Sequence, residues 1–259
     1  MSEKKQHELT SQHDLLDANG HLTEAGYAKS LILNYDRSAI KAPGFKIKEW
    51  DYYLVACDSF AVALTIDDNS YMGLDSISLL DFTIPWEHTN SPITAFTFGK
   101  KNLPPSSVSG DVKTKGKGYY INFMNNGSER ILEFHMDNFC DKKPIDGKIT
   151  LKCPDDDSMV IATPFAEKKT AFYYNQKINC MPAAGSVSFG DKTYEFPEGK
   201  SFGTLDWGRG VWTYKNTWYW GSASGLAPDG KRLGWNIGYG FGDTSAASEN
   251  MLFYDGKAH

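Results

Sequence analysis

Asp206 and Arg209 are the residues whose types and spacing most directly suggest chemistry. They flank a Trp-Gly pair, and the glycines at positions 208 and 210 predict a tight bend. A guanidinium held in such a bend would bind a carboxylate or another oxygen-rich group of a ligand, with Asp206 orienting it or acting as a general acid. Arg209 is one of four arginines against 23 lysines, which favours a need for a planar cation with several donors. The alternative is a structural Asp–Arg pair whose guanidinium stacks on a neighbouring tryptophan.

Glu249 is the second candidate general acid. It precedes Asn250 in a segment otherwise rich in glycine and aromatic residues, and Asn236 and Tyr239 are polar residues of the preceding strand pattern. A carboxyl group in a partly desolvated lumen has a raised pKa and can donate a proton. The alternatives are a solvent-facing strand residue and a structural partner of Arg209.

Aromatic residues are concentrated near the C-terminal end of the sequence, where five of the seven tryptophans lie within 29 positions. Large flat rings suit the wall of a pocket for an apolar ligand, and an indole N–H can orient the polar end of that ligand. The alternative is a packed barrel core, or a seam between two barrels. We predict a ligand site built from Arg209, Trp212, Tyr214, Trp218, Trp220, Trp235, Asn236, Tyr239 and Asn250.

Charge and composition exclude several classes of partner. The formal net charge of −5 and the pI of about 5.7 disfavour binding to nucleic acids or anionic membranes. The longest apolar stretch, residues 60–66, is far shorter than the ~20 residues that span a bilayer. The polar N-terminus and four scattered cysteines predict a cytoplasmic protein. We expect no metal and no cofactor, because zinc, calcium-loop and dinucleotide-loop spacings are missing.

The arrangement of the elements is typical of an all-β protein. From Trp50 onward, short runs rich in Val, Ile, Phe and Tyr alternate with turn residues. Asn125-Asn126-Gly127-Ser128 and Pro228-Asp229-Gly230 predict two hairpins. Residues 1–45 are interpreted as an N-terminal arm that packs on the rest, with a short helix starting near Thr23.

Asp255-Gly256 signals a third hairpin turn, but only three residues follow it, too few for the partner strand. Either another strand pairs at this end, or the natural chain continues past His259. An unpaired strand edge here also predicts self-association.

Residues 216–241 sort into two faces by their period of two. In the second strand, Gly234, Asn236 and Gly238 alternate with Trp235, Ile237 and Tyr239, so one face is small and polar while the other is bulky and apolar. A barrel with a lumen would show this pattern.

Several motifs in this order resemble the family catalogued as domain of unknown function 2804. They are Lys48-Glu49-Trp50-Asp51-Tyr52-Tyr53, Phe172-Tyr173-Tyr174-Asn175-Gln176-Lys177, Met181-Pro182-Ala183-Ala184-Gly185, Asp206-Trp207-Gly208-Arg209-Gly210-Val211-Trp212, Gly238-Tyr239-Gly240-Phe241-Gly242-Asp243 and Glu249-Asn250.

The resemblance covers nearly the whole chain. It implies tandem lipocalin-like antiparallel β-barrels or half-barrels, similar to proteins of the hydroxyneurosporene synthase, tocopherol cyclase and fungal Diels-Alderase group. We therefore expect an arm at 1–45, a first lipocalin-like unit at 46–157 and a second, incomplete unit at 158–259.

Three functions follow as hypotheses. The first is a lipocalin-like protein that binds an apolar or amphipathic small molecule in an aromatic-lined pocket. The second is a cofactor-independent lyase, hydratase, cyclase or isomerase that uses a buried carboxylate, Asp206 or Glu249, as general acid. The third is a non-catalytic interaction module whose tryptophans form a seam or a partner surface.

Overall fold

The computed structural model describes residues 6–259, and within that range the chain is built from β-strands. Two short 3₁₀ turns, Arg37–Ala39 and Gly44–Lys46, are the only helical elements of the described residues. The predicted all-β class is confirmed. In residues 6–259 there is also no helix with the length and apolar character needed to cross a membrane.

The strands of the described residues are numbered in chain order. They are β1 His13–Asp14, β2 Gly26–Ala28, β3 Leu33–Asn34, β4 Lys48–Ala56, β5 Phe60–Asp68, β6 Met72–Asp81, β7 Trp86–Asn90, β8 Ile93–Ala95, β9 Val112–Gly116, β10 Tyr119–Asn125, β11 Glu129–Cys140, β12 Lys143–Lys152, β13 Met159–Pro164, β14 Phe172–Phe189, β15 Lys192–Phe196, β16 Phe202–Val211, β17 Tyr219–Leu226, β18 Arg232–Tyr239, β19 Met251–Tyr254 and β20 Lys257–Ala258.

Two antiparallel sheets carry most of the molecule. The large sheet runs in the order β7-β6-β5-β4-β16-β14-β12-β11-β10-β9, with β8, β13 and β15 attached at its sides and β2 added through β13. The small sheet has the order β17-β18-β19-β20, and β1 pairs with β3 separately. Within residues 6–259 none of these sheets closes on itself, so the architecture is one of half-barrels.

Strand β4 shows how the alternation of side chains places the two faces. The odd-numbered residues of β4, from Glu49 to Val55, are buried, and the even-numbered residues, from Lys48 to Ala56, are half-buried. Tyr53 and Val55 enter the main hydrophobic core together with Val62 and Leu64 of β5. The opposite face of β4 carries Trp50, Tyr52 and Leu54.

Strand β14 belongs to both halves of the large sheet. Its first half pairs with β13 and β16, and its second half pairs with β12 and β15. The register with β16 shifts between Ile178 and Met181, and Cys180 there has a φ of 61°. Such a bulge bends and twists a strand, which lets the two halves of β14 serve different sheet regions.

A second core lies between the first half of β14 and the small sheet. It contains Met159 and Ile161 of β13, Tyr173 of β14, and Phe241 and Phe253 from the small-sheet side. The small sheet therefore packs across the large one and covers part of its surface.

The predicted hairpins are present, as β10–β11 and β17–β18. The predicted helix near Thr23 is wrong, because Gly26–Ala28 pairs as a strand with β13. A Cβ at Gly26 would lie 2.6 Å from the carbonyl oxygen of His7, so this close pairing needs glycine. Residues 1–5 of the predicted arm lie outside the described residues.

The expectation that too few residues follow Asp255-Gly256 is also wrong. Lys257–Ala258 pairs with Phe253 and Tyr254, and His259 exchanges two backbone hydrogen bonds with Leu252. Two paired residues and a terminal bridge therefore suffice to form this hairpin. Self-association through this edge stays a prediction.

We predict that Gly185→Ala destabilises the fold by about 2–3 kcal/mol. Gly185 pairs with both β12 and β15 and has a φ of 138°. An added Cβ would lie 2.2 Å from the carbonyl oxygen of Lys148, which is backbone and cannot rotate away. Urea denaturation measures the change, and Gly225→Ala is the control because nothing lies within 4 Å of its Cβ position. Equal midpoints for the two variants would contradict the prediction.

Candidate functional site

The site forms on the face of β4, β16 and β14 that the small sheet partly covers. In the antiparallel register Lys177 of β14 lies opposite Asp206 of β16, and Asp206 lies opposite Tyr52 of β4. One step further along, Asn175, Gly208 and Trp50 form a second row. Side chains of one row point to the same face of a sheet, so these rows bring their polar groups together.

Lys177 is the centre of the polar cluster. Its Nζ lies 2.5 Å from Oδ2 of Asp206 and 3.4 Å from Oε1 of Glu249. The same ammonium lies 4.7 Å from the ring centroid of Trp220, which adds a cation–π contact. The Lys177 side chain is only 2% exposed, so its charge is balanced by these groups rather than by water.

Asp206 receives two further donors at its other oxygen. Asn175 Nδ2 donates to Oδ1 at 2.7 Å, and Trp50 Nε1 donates to the same atom at 3.2 Å. The Trp50 ring lies across Gly208, where an added Cβ would come within 2.1 Å of it. Glycine at this position therefore makes room for the indole that reaches Asp206. The Asp206 side chain keeps 13% exposure and is the most accessible of the three charged groups.

Glu249 reaches the cluster from the small-sheet side, two positions before β19. Tyr173 OH donates to its Oε1 at 3.4 Å. Its backbone carbonyl accepts a hydrogen bond from Asn236 Nδ2 at 2.7 Å, and Asn236 Oδ1 accepts one from Trp220 Nε1 at 2.6 Å. A Cβ at Gly238 would lie 2.4 Å from Glu249 Oε2, so the small residue in β18 leaves space for the carboxyl group.

Burial controls the protonation of this cluster. Desolvation raises the pKa of Glu249, and the nearby Lys177 opposes that rise while Asp206 adds to it. Burial and the negative charge of Asp206 raise the pKa of Tyr52 to about 12. Burial also raises the pKa of Tyr173 well above its ordinary value. Glu249 therefore binds its proton more tightly than a glutamate in water, beside the ion pair of Lys177 and Asp206, an arrangement suited to general acid chemistry.

Arg209 lies on the other face of β16, because three positions separate it from Asp206 and faces alternate by two. Its guanidinium donates to Asp51 Oδ1 at 2.9 Å and to the carbonyl oxygens of Trp50, Pro104 and Gly208. It also stacks 4.3 Å from the ring centroid of Trp207. The Asp206–Arg209 pair considered from the sequence is therefore replaced by an Asp51–Arg209 pair, and the Arg209 side chain is fully buried. Its role as a ligand contact stays a prediction.

The predicted aromatic residues divide between the two surfaces of the small sheet. Trp220 faces inward and meets Tyr52 edge-on at 6.1 Å. Trp212 packs against Trp50 and Tyr173, and Trp218 is half exposed against Phe241.

The other predicted ligand contacts are more exposed. Trp235 and Tyr239 lie on the outer face, where Tyr239 stacks on Tyr219. Tyr214 is 99% exposed in the loop before β17, and exposed Asn250 accepts a hydrogen bond from the backbone of Gly238. The small, polar face of β18 thus points inward and its bulky face points outward.

The sequence did not single out Lys177, although it lies in the quoted motif from 172 to 177. The sequence signal for Lys177 was its even spacing from Tyr173 and Asn175, which places the three side chains on one face of a strand. The structure shows that the strand residues around it are buried. Trp50 and Asn175, which hold Asp206, were missed in the same way. In residues 6–259 there is no group of three His, Cys, Asp or Glu side chains placed to hold a metal ion. Lys177 lies between the two carboxylates of the cluster.

A cavity of about 360 Å³ opens on the same face of β16 as Asp206. Phe202 lines it, and Thr204 lies between Phe202 and Asp206 on that face. The β4 partners of these residues are Ala56, Leu54 and Tyr52, so two parallel rows of side chains lie on this face between the cavity lining and Asp206. Thr204 in these rows is buried and contacts Ser224 of β17. We call these two rows the β4/β16 track. The cavity is lined by Ala56, Cys57, Asp58, Lys200, Phe202, Ser224, Gly225 and Leu226.

Comparison with known proteins finds one family model and distant structures. The family model described as Domain of unknown function (DUF2804) matches residues 6–259. The crystal structure of a candidate AttH from Nitrosomonas europaea is 12% identical, with a TM-score of 0.44, over 88% of this chain and 71% of that one. Kievitone hydratase from Nectria haematococca is 10% identical, also with a TM-score of 0.44, over 98% of this chain and 73% of that one. No curated protein matches the chain.

We predict that Glu249→Gln removes a pH dependence of stability. Because folding raises the pKa of Glu249, the folded wild type binds more protons than the unfolded chain at pH values just above the ordinary glutamate pKa of about 4.3. Wild-type stability therefore falls as pH rises through that window, whereas a glutamine cannot titrate. The free energy of unfolding of Glu249→Gln, relative to wild type, should rise with pH and then level off.

Urea denaturation at a series of pH values from 4 to 8 measures this difference. Glu198→Gln is the matched control, since the Glu198 side chain is 79% exposed. A relative stability of Glu249→Gln that is independent of pH, or that falls as pH rises, would show that folding does not raise the affinity of Glu249 for its proton.

Proposed function

Because the chain belongs to the family described as Domain of unknown function (DUF2804), a description that names no reaction, we propose its function from the site itself. The protein binds an apolar or amphipathic small molecule, with the apolar part in the cavity at Phe202 and the polar end at Asp206. The observation that carries this proposal is the position of Asp206. It is the most accessible group of the charged cluster, and it lies on the same face of the β4/β16 track as the cavity. A ligand that spans the two displaces the contact between Thr204 and Ser224 that lies between them.

The dimensions of the track suit a small organic molecule. Successive residues on one face of a strand are about 6.6–6.8 Å apart, so Phe202 and Asp206 are separated by roughly 13 Å. Strand β17 runs along the track, since Ser224 Oγ lies 3.1 Å from Thr204 Oγ1 and Trp220 contacts Tyr52. The cavity volume is at the lower end of the ~300–1,000 Å³ typical of ligand sites.

The chemistry of the cluster defines the polar end of the ligand. Asp206 presents carboxylate oxygens, while the Lys177 ammonium already has Asp206, Glu249 and the Trp220 ring as neighbours. A ligand group that donates a hydrogen bond, such as a hydroxyl or an amine, would therefore be accepted at Asp206. A ligand carboxylate would be repelled by the two carboxyl groups of the cluster.

We expect Ala56→Leu to weaken binding by about tenfold or more, which corresponds to roughly 1.4 kcal/mol. Ala56 lines the cavity, is half-buried, and lies opposite Phe202 on the same face of the sheet. The larger leucine side chain therefore extends into the cavity. Titration with the neutral amphipathic dye Nile red measures the affinity.

Ala95→Leu is the matched control, because Ala95 is an exposed strand alanine that does not line the cavity. Native mass spectrometry of the freshly purified protein extends the test to a co-purifying molecule, which Ala56→Leu should lose. Unchanged dye affinity and an unchanged co-purifying mass in Ala56→Leu would exclude the cavity as the binding site.

A second function, acid–base catalysis without a cofactor, is favoured by the raised pKa of Glu249 beside the Lys177–Asp206 pair. Two carboxyl groups in different environments can divide the roles of acid and base between them. In this mechanism Asp206 contacts the substrate, and the Lys177 ammonium donates one of its protons toward it. Glu249 then transfers its own proton to the Lys177 amine, so that Lys177 ends as an ammonium and Glu249 as a carboxylate. The corresponding reactions are those of lyases, hydratases, cyclases and isomerases.

Asp206→Asn separates the two functions. If the protein is an enzyme, this change should reduce turnover of the co-purifying compound by about 10²-fold or more, since general acid–base catalysis contributes about 10²–10⁴-fold. Its affinity for Nile red should stay close to that of wild type, because the apolar part of the site is unchanged. Liquid chromatography with mass spectrometry measures turnover. A wild-type protein that binds the compound and returns it unaltered would exclude catalysis on that compound.

A further inference from the structure

A second cavity, of about 420 Å³, lies on the side of β14 opposite to Lys177. Gln176 and Ile178 of β14 line it, whereas Lys177 between them points to the other face. Arg130 of β11 also lines this cavity and is 4% exposed. We call this cavity the Arg130 cleft.

Arg130 is a buried cation without a carboxylate partner among the described residues. Its Nε donates to Cys153 Sγ at 3.2 Å, Nη1 to Tyr53 OH at 3.0 Å, and Nη2 to the Ser107 carbonyl at 3.0 Å. Within residues 6–259 no Asp or Glu oxygen forms an ion pair with it. Asp51 attracts it electrostatically, but the Oδ1 of Asp51 is bound by Arg209.

This arrangement is unusual because buried charges in proteins are normally paired. An arginine carries five N–H donors, and three of those of Arg130 are used by the groups above. One N–H on each terminal nitrogen is left for a further acceptor. A guanidinium with two such donors is well suited to bind a planar carboxylate.

The rest of the lining defines the remainder of the ligand. The cleft has an apolar side formed by Leu31, Val108, Pro154, Ile178 and Met181. A buried side-chain oxygen of Asn179, which also lines the cleft, has no hydrogen-bond partner. The cleft thus combines a cation, an apolar wall and a free acceptor.

Acidic residues at the rim of the Arg130 cleft limit how much negative charge a ligand can carry. Exposed Asp155 lies there, and Asp156 is paired with Arg232 rather than with Arg130. A single positive charge inside and acidic groups at the rim favour a ligand with one negative charge over a dianion. We propose that the Arg130 cleft binds a small monocarboxylate, with its carboxylate on Arg130 and its alkyl part against the apolar side.

Cys153 makes the proposal testable in the native protein. Its sulfur contacts Arg130, and the residue is half-buried in the lining of the cleft. Butyrate bound at Arg130 should therefore shield this thiol from iodoacetamide. Alkylation rates of each cysteine are followed by mass spectrometry in sodium butyrate and in sodium chloride of the same ionic strength.

We expect the Cys153 rate to fall with a saturable dependence on butyrate, reaching about tenfold when butyrate is at about ten times its Kd. Half-buried Cys140 serves as the internal control and should react at the same rate in both salts. Inorganic phosphate, largely a dianion, should protect Cys153 less than butyrate. Equal rates for Cys153 in butyrate and chloride, or protection by phosphate alone, would overturn the proposal.

Cys57 distinguishes this inference from the proposed function. Cys57 lines the 360 Å³ cavity, so slower reaction of Cys57 instead of Cys153 would place the acid there and contradict the Arg130 cleft. Failure of Nile red binding in the earlier test leaves the Cys153 result unaffected, since the two cavities share no lining residue.

Two variants complete the test. Arg130→Gln should abolish protection of Cys153 by butyrate. Since loss of a buried cation can prevent folding, Val108→Trp provides a second route, because Val108 is 61% exposed at the cleft and a large ring there blocks entry. Ile93→Trp is the control for this variant, because Ile93 is also a β-branched apolar residue of similar exposure but does not line the cleft. Retained protection by butyrate in Val108→Trp would overturn the proposal.

Discussion

The ammonium of Lys177 joins two carboxylates that come from different sheets. Asp206 belongs to the large sheet, and Glu249 belongs to the connection between β18 and β19 of the small sheet. The position of the small sheet is therefore tied to a charge on β14. The same constraint explains the small, polar residues on the inner surface of the small sheet. Gly238 leaves room for the Glu249 carboxyl group, and Asn236 donates a hydrogen bond to the Glu249 backbone carbonyl. The bulky residues of β18 then face outward, although the hydrophobic effect alone would place them inside.

The energetics of this cluster explain why it points to function. Burying an ion pair is often no better for stability than packing apolar groups in the same space, whereas removing one partner costs about 3–5 kcal/mol. The three ionisable groups of this buried cluster thus depend on one another, although burying them adds little to the free energy of unfolding. With Glu249 protonated, the Lys177–Asp206 pair leaves the cluster neutral, and loss of that proton leaves one uncompensated negative charge. Burial accordingly raises the affinity of Glu249 for this proton above that of a glutamate in water, while Lys177 opposes the rise.

Much of the fold could be predicted from the sequence, and the site only in part. Period-two alternation and Asn-Gly or Asp-Gly turns predicted the strands and the β10–β11 and β17–β18 hairpins, because these signals are local. Asp206 and Glu249 were candidates as carboxylates in aromatic strands. Lys177 was missed because its partners depend on long-range register, which a single sequence does not reveal. The same alternation defines two faces of β18 but cannot say which one the large sheet covers. The tight bend predicted at Gly208 and Gly210 is wrong, because both glycines lie in the continuous strand β16, where the odd spacing of Asp206 and Arg209 places them on opposite faces.

Three buried cations show how the surroundings of a charge separate structural from functional roles. Arg209 is bound by Asp51 and three carbonyl groups, and it lies within 4.0 Å of Glu49, so its charge is paired by acidic groups of β4 although its buried Nε has no hydrogen-bond partner. Lys177 has two carboxylates for one charge, and the pKa of Glu249 is raised by burial and further by the negative charge of Asp206. Arg130 has the opposite imbalance, because the groups that accept its hydrogen bonds are all neutral. A balanced cation stabilises the fold, whereas an imbalance in a low dielectric is relieved by binding something that carries the missing charge. The proposed anion at Arg130 would supply such a charge on one face of β14, and burial of the Lys177 cluster on the other face raises the pKa of Glu249.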